Sequence, residues 1–235
     1  MLTTVIGGRV WDFSHAVGRN AAAGNGFSQP TGIALASQGI AYVVSRATEN
    51  NFGSRVSKVF LGAPGEEEVR AEFGHHGTDE GKAMWPSCVA LDSQGNVYLS
   101  DDWLHRISAF DADGNFLHCW GTQGSGEGEL DSPAGLAFDA DDNLFVVDAG
   151  NNRIQKLTKD GSFLASCGSH GTGPVQFDRP WAVELLAGFG HQIEQSERIG
   201  AQGDGFWTLG LGLRLRPLDD DQGYAANPQN VHLAV

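Results

Sequence analysis

Apolar residues in this chain fall in short runs, cut by Gly, Asn and Asp at regular distances. Val89 with Leu91, Val97 to Leu99, Ile107 with Phe110, and Phe116 with Leu117 make four such runs. Leu136 with Phe138, Leu144 to Val147, Ile154 with Leu157, and Phe163 with Leu164 repeat them in order. Runs of this length, rich in β-branched and aromatic residues and bounded by turn formers, predict strands. The boundaries repeat as well. Gln94-Gly95-Asn96 and Asp142-Asn143 sit where a hairpin needs positive φ, as do Asp113-Gly114 and Asp160-Gly161. Pro133 opens its unit 47 residues after Pro86, Pro180 restarts the phrase 47 further on, and Pro30 begins a looser copy. A fixed period of this size signals a repeat architecture.

Four antiparallel strands per unit, joined by a Gly-rich connector, describe one blade of a β-propeller, so the predicted fold class is all-β. The Pro133 copy runs from Gly135 and Asp139 through Asn143 and Asp148 to Asn152, Arg153, Ile154 and Gln155. In that order it resembles the NHL repeat, named for its Asn-His-Leu signature. The Pro86 copy keeps Asp92, Asn96, Asp101, His105, Arg106 and Ile107 but lacks the Gly after the Pro. In the Pro30 copy Ala36 and Ser45 replace the two Asp residues. The resemblance implies an NHL-like propeller, an architecture shared by enzymes, receptors and binding proteins.

Residues 1–182 are expected to form a partial propeller, with blades beginning near 30, 86, 133 and 180. Residues 183–235 read as a divergent segment outside the repeat. Residues 10–18 read as the outer strand of a closing blade, because Gly18 matches Gly74, Gly121 and Gly168 at the start of each connector. Phe27, Leu130 and Phe177 each stand three residues before a Pro, with Met84 one place out of register. An N-terminal outer strand ordinarily closes the ring against inner strands from the C-terminus. After Val183, however, the phrase stops, and the alternation at Leu209, Leu211, Leu213 and Leu215 suggests one further strand. Six blades at this period need roughly 280 residues, against 235 here. The expectation is an incomplete propeller of about three to four blades, its tail either the product of a frameshift, truncation or gene-end artefact or a natural divergent segment. Self-association that completes the ring is a further expectation.

A hydrophobic content of 40%, with 33 Gly to serve the turns, suits a soluble globular domain. No apolar run reaches the roughly 18 residues of a membrane span, and the N-terminus lacks a basic stretch followed by an apolar core. A cytoplasmic protein without membrane attachment is therefore expected. Cys88, Cys119 and Cys167 lie within strand runs and read as free thiols. The net charge of −14 bears on partners. Connectors and second-to-third-strand loops share one face of a propeller, and here they are slightly acidic in sum. Some NHL proteins bind single-stranded RNA on this face, but such binding draws on displaced phosphate counterions and needs a basic platform.

Asp101 with Arg106, and Asp148 with Arg153, recur at the same spacing in the two regular copies. Recurrence favours a structural role, an Asp–Arg pair tying a loop to its own or the neighbouring blade through the Arg fork. His75, His76 and Asp79 are the weak metal candidates. Adjacent histidines on a loop seldom converge on one ion, and no cofactor is expected. Trp103, His105 and Asp102, with Asn151 and Asn152 in the next unit, occupy loops on the shared face and are candidate contacts for a partner. Trp85, Trp120 and Trp181 read as blade-to-blade packing.

No Gly-x-Ser-x-Gly, phosphate loop or His-Glu-x-x-His occurs. The resemblance also admits a metal-dependent lyase or hydrolase, since NHL-like propellers include peptide-amidating lyases and resemble sugar lactonases. Those lyases hold zinc through His residues on inner strands, soon after the opening Pro. Here Thr31, Ser87, Ala134 and Trp181 follow the Pro, and the inner strands contain no His. The expected function is a non-enzymatic module that binds a protein or peptide through its loops.

Overall fold

The computed structural model describes residues 3–6, 9–12, 16–21, 26–46 and 53–186, with strand segments at 207–208, 214–216 and 230–234. Strands β1 (Thr3–Ile6) and β2 (Arg9–Asp12) pair as an antiparallel hairpin. The first blade comprises β3 (Pro30–Leu35), β4 (Ile40–Ser45), β5 (Arg55–Phe60) and β6 (Glu68–Phe73). The second comprises β7 (Pro86–Leu91), β8 (Val97–Asp101), β9 (Arg106–Phe110) and β10 (Phe116–Trp120). The third comprises β11 (Pro133–Phe138), β12 (Asn143–Asp148), β13 (Arg153–Thr158) and β14 (Phe163–Cys167). Within each blade all neighbouring strands run antiparallel. A short parallel pair follows, β15 (Ser169–His170) with β16 (Gln176–Phe177).

The next sheet departs from this plan. β17 (Ala182–Leu186) is joined by β18 (Trp207–Thr208), β19 (Arg214–Arg216) and β20 (Asn230–Ala234) in the order β17–β20–β19–β18. β20 pairs with β17 in parallel, whereas the second strand of every regular blade is antiparallel to its first. Of the alternation noted in the sequence, Leu215 lies in β19, while Leu209, Leu211 and Leu213 lie outside the described residues. Within the 10–18 stretch, residues up to Asp12 lie in β2 and 13–15 are outside the description. The inner strands β3, β7, β11 and β17 adjoin in sequence, and the described sheets do not close into a ring.

Burial explains the pattern of the runs. β4 and β8 are buried at every position, each lying in the middle of its sheet, and the two faces of β8 meet the first blade through Val97 and Leu99 and the third through Tyr98. That is why these segments read as unbroken apolar runs. β14, at the blade edge, alternates instead between half-buried and exposed residues. The second and third blades share a core of Tyr98, Ile107 and Ala109 against Leu136, Leu144 and Leu157. The core between the third blade and β17 joins Phe145, Val147 and Ile154 to Val183.

Connectors share one geometry. Asn20 bridges Phe27, His76 bridges Ala83, and Gln123 bridges Leu130, all in parallel, matching the β15–β16 pair. The second connector is thus in register after all. Ala83, not Met84, takes the inward position of Phe27, Leu130 and Phe177, and it is buried.

The anticipated turns have the backbone the sequence called for, with Gly95, Gly114, Asp142 and Gly161 at positive φ. Asp92 accepts hydrogen bonds from the Gln94 and Asn96 amides and from Asn96 Nδ2, and Asp139 holds Asp141 and Asn143 in the same way. These carboxylates fix hairpins. Their loops also link blades: the Ser93 amide and hydroxyl donate to Asp142 at 2.8 and 2.6 Å. Both bonds favour the carboxylate, so the Asp142 pKa lies below its ordinary value, with the Ser93 hydroxyl the largest cause. A depressed acid stabilises the fold above its unfolded pKa, and that contribution disappears as pH falls through the folded pKa. In Ser93→Ala, the Asp142 carboxyl should therefore titrate at higher pH than in wild type, as followed by NMR of the side-chain carboxyl.

A candidate interaction site on the loop face

In each blade a polar group at the end of the second strand caps the backbone just ahead of the opening Pro. In the third blade the Asp131 amide donates to Asp148 Oδ1 at 2.7 Å. In the second, Met84 and Trp85 amides donate to Asp101, and in the first, the Ser28 amide donates to Ser45 Oγ. Arg153 then anchors the connector leading into its blade, donating to the carbonyls of Ser125, Gly126 and Glu129. Arg106 does the same to Thr78, Asp79 and Lys82. A loop that would otherwise leave carbonyls unpaired is stapled by one guanidinium per blade.

The two Asp–Arg pairs differ in a way spacing could not show. Arg153 Nε meets Asp148 Oδ2 at 2.7 Å, and Asn151 and Gln155 donate to the same fully buried carboxylate. Asp101 and Arg106 form no direct ion pair. The Asp101 oxygens are taken by the amides of Met84, Trp85, Trp103 and Leu104, and Arg106 Nε is buried with no hydrogen-bond partner among the described residues. Leu104 and Ser108 stand where the third blade has Asn151 and Gln155, so the second blade lacks their donors. Burial raises the Asp101 pKa, against the lowering effect of the Leu104, Met84 and Trp85 amides and of Arg106.

Three of the candidate contact residues are committed to the scaffold. His105 Nδ1 accepts from the Ser132 amide of the following blade at 3.1 Å, and Asn152 Oδ1 accepts from the Arg179 amide at 2.8 Å. Ser54, at the matching place in the first blade, donates to the Met84 carbonyl. Asn151 Nδ2 donates to Asp148 and to the Gly124 carbonyl. His105 and Asn152 themselves adopt positive φ, which lets their side chains reach forward to the next blade.

Trp103 and Asp102 are different. Trp103 is 56% exposed, and its ring meets Trp85 edge to face at a centroid distance of 5.0 Å. Arg46, from the first blade's loop, places its guanidinium 4.9 Å from the Trp85 ring centroid and pairs with Asp102 Oδ2 at 3.0 Å. Trp85 is thus no buried packing residue. It is 39% exposed, and Trp181 is 41% exposed. Trp120 does bridge blades, its indole donating to the Lys159 carbonyl at 3.1 Å. Arg46 and Trp85 are the members of the cluster that the sequence reading missed. One signal was available, since Arg46 and Asp102 each directly follow the capping residue of their blades, Ser45 and Asp101, and carry opposite charge.

His75, His76 and Asp79 are not gathered into a ligand set, and no group of three or more His, Cys, Asp or Glu able to hold a metal occurs among the described residues. The three thiols are free and half-buried, and burial pushes the Cys88 pKa upward and that of Cys167 to about 11, favouring the thiol form. Among the described residues no helix is long and apolar enough to cross a membrane.

Stacked four-stranded antiparallel blades, with inner strands side by side, define a β-propeller, here an incomplete one. The NHL repeat model matches residues 130–157, from the end of one connector through the third strand of the third blade. No curated protein matches the chain. Solved structures that resemble it include virginiamycin B lyase from Staphylococcus aureus with quinupristin, 16% identical, with a TM-score of 0.46 over 65% of this chain and 44% of that one. A streptogramin B lyase is 18% identical, with a TM-score of 0.46 over 66% of this chain and 44% of the other. Hydrazine synthase from Kuenenia stuttgartiensis is 15% identical, with a TM-score of 0.49 over 82% of this chain and 43% of that one. The chain spans less than half the length of each.

Proposed function

We propose that this propeller is a non-enzymatic interaction module that binds a protein or peptide on its loop face, centred on Trp103. The observation that carries the reading is the exposed Trp103–Trp85 pair, held by the Arg46 stack and the Arg46–Asp102 ion pair. Exposed aromatics fixed in place offer large contact area at little ordering cost, the property of residues that dominate binding energy. His105, Asn151 and Asn152 support that platform from within the scaffold rather than through contact. The acidic balance of the chain argues against a nucleic-acid partner.

Selection of a random peptide library on the purified protein, followed by affinity measurement on wild type and Trp103→Ala, tests this. Selected peptides should lose roughly thirtyfold in affinity, equivalent to about 2 kcal/mol, when the indole is removed. Peptides that bind both proteins equally, or a selection without enrichment, would overturn the reading.

A further inference from the structure

Each blade face that looks back along the chain is covered by the blade before it. Leu136 and Leu157 of the third blade are buried against the second, and Val89 and Phe110 of the second are buried against the first. The first blade carries the same face. Ile33, Leu35, Val43 and Val59 stand at the positions of Leu136, Phe138, Val146 and Leu157. Val43 is 8% and Val59 1% exposed, but Ile33 is 62% exposed and Leu35 69%, where Leu136 is 5% and Val89 4%. Beside them, Val17, Phe27, Val43, Val59 and Leu61 line an apolar cavity of about 410 Å³. Side chains built for the middle of a sheet stack stand here at a surface.

We propose that a second copy of this chain covers the face, its own first-blade face turned toward it about a two-fold axis. What covers such a face elsewhere in the molecule is a blade of this same chain. The opposite faces of the three regular blades are already occupied, by the second blade, the third blade and β17 in turn. Among the three regular blades, the face that a second copy offers is therefore the same one. A surface that meets its own copy across a two-fold axis closes after two subunits and leaves no open apolar face. The contact is apolar and joins two chains that each carry −14, so added salt strengthens it by screening their repulsion.

The face is separate from the Trp103 loops, and either reading stands if the other fails. The test is solution mass by light scattering at low and high salt, for the full chain and for Ile33→Asp/Leu35→Asp. Both side chains are exposed, so the variant should fold, and an unchanged circular dichroism spectrum checks this. Wild type should show twice the monomer mass, more completely at high salt, and the variant the monomer mass. Amides of β3 should exchange more slowly as wild-type concentration rises, a readout that needs no variant. A wild type that stays monomeric, or a dimer that persists in the variant, would overturn the proposal.

Discussion

Asp148→Ala should cost about 3–5 kcal/mol of folding stability, seen as a lower midpoint in urea unfolding with little change in slope. The carboxylate is fully buried and receives the Asp131 amide, Asn151 Nδ2, Arg153 Nε and Gln155 Nε2. Truncation leaves a guanidinium and three amide groups facing a hole, and the large cost comes from those unpaired donors rather than from the net value of the pair. The effects of Asp148→Ala and Arg153→Met should therefore fall well short of additive in the double variant. The first blade shows another solution. Ser45 stands in the Asp place, and Arg55 Nε pairs instead with Glu72 on the outer strand at 2.7 Å. Ser166 is the third-blade equivalent of Glu72, each paired across from the third strand, with Gln155 and Ser57 respectively. Adding Ser166→Glu to Asp148→Ser should thus recover part of the loss. Full additivity, or no recovery, would show that the carboxylate matters for something other than its charge at Arg153.

Gly135→Ala should cost about 1–3 kcal/mol, because the added methyl has nowhere to go. A Cβ at Gly135 would lie 2.8 Å from Ala182 Cα and from Val183 N, both backbone of the neighbouring inner strand. Backbone cannot swing aside as a side chain can, so β11 and β17 would have to separate. Gly32 meets the second blade less closely, 3.1 Å from Cys88 Cα. Gly32→Ala should therefore cost less than Gly135→Ala, and thermal unfolding of the two variants side by side reads the difference. Equal melting temperatures for Gly135→Ala and wild type would mean that the third blade and β17 are not packed as described.

Much of the architecture was legible because it is local. The alternation of apolar runs and Gly- or Asn-bearing turns specifies strands and hairpins within a few residues of each other, and repetition at a constant period amplifies that signal. The Asp92–Asn96 and Asp139–Asn143 turns could be placed for the same reason. The candidate site was only half legible. Trp103 and Asp102 stood out as unusual loop residues, but their partners Arg46 and Trp85 lie 56 and 18 positions before Asp102 and Trp103, in another loop and a connector. No local pattern records which loops meet. His105 and Asn152 looked like surface residues for the same reason, since the amides they bind belong to the next blade.

By itself the sequence determined the strands, their turns, the four-strand unit and its repetition at a fixed period, because these depend on side-chain alternation and backbone preference over short distances. Tertiary structure alone decided three further things: which Asp meets its Arg, which Trp stands exposed, and that β20 lies parallel to β17. It also left Ile33 and Leu35 uncovered. Each of these depends on what distant segments bring to the same point in space, and hydrophobicity along a chain carries no record of that.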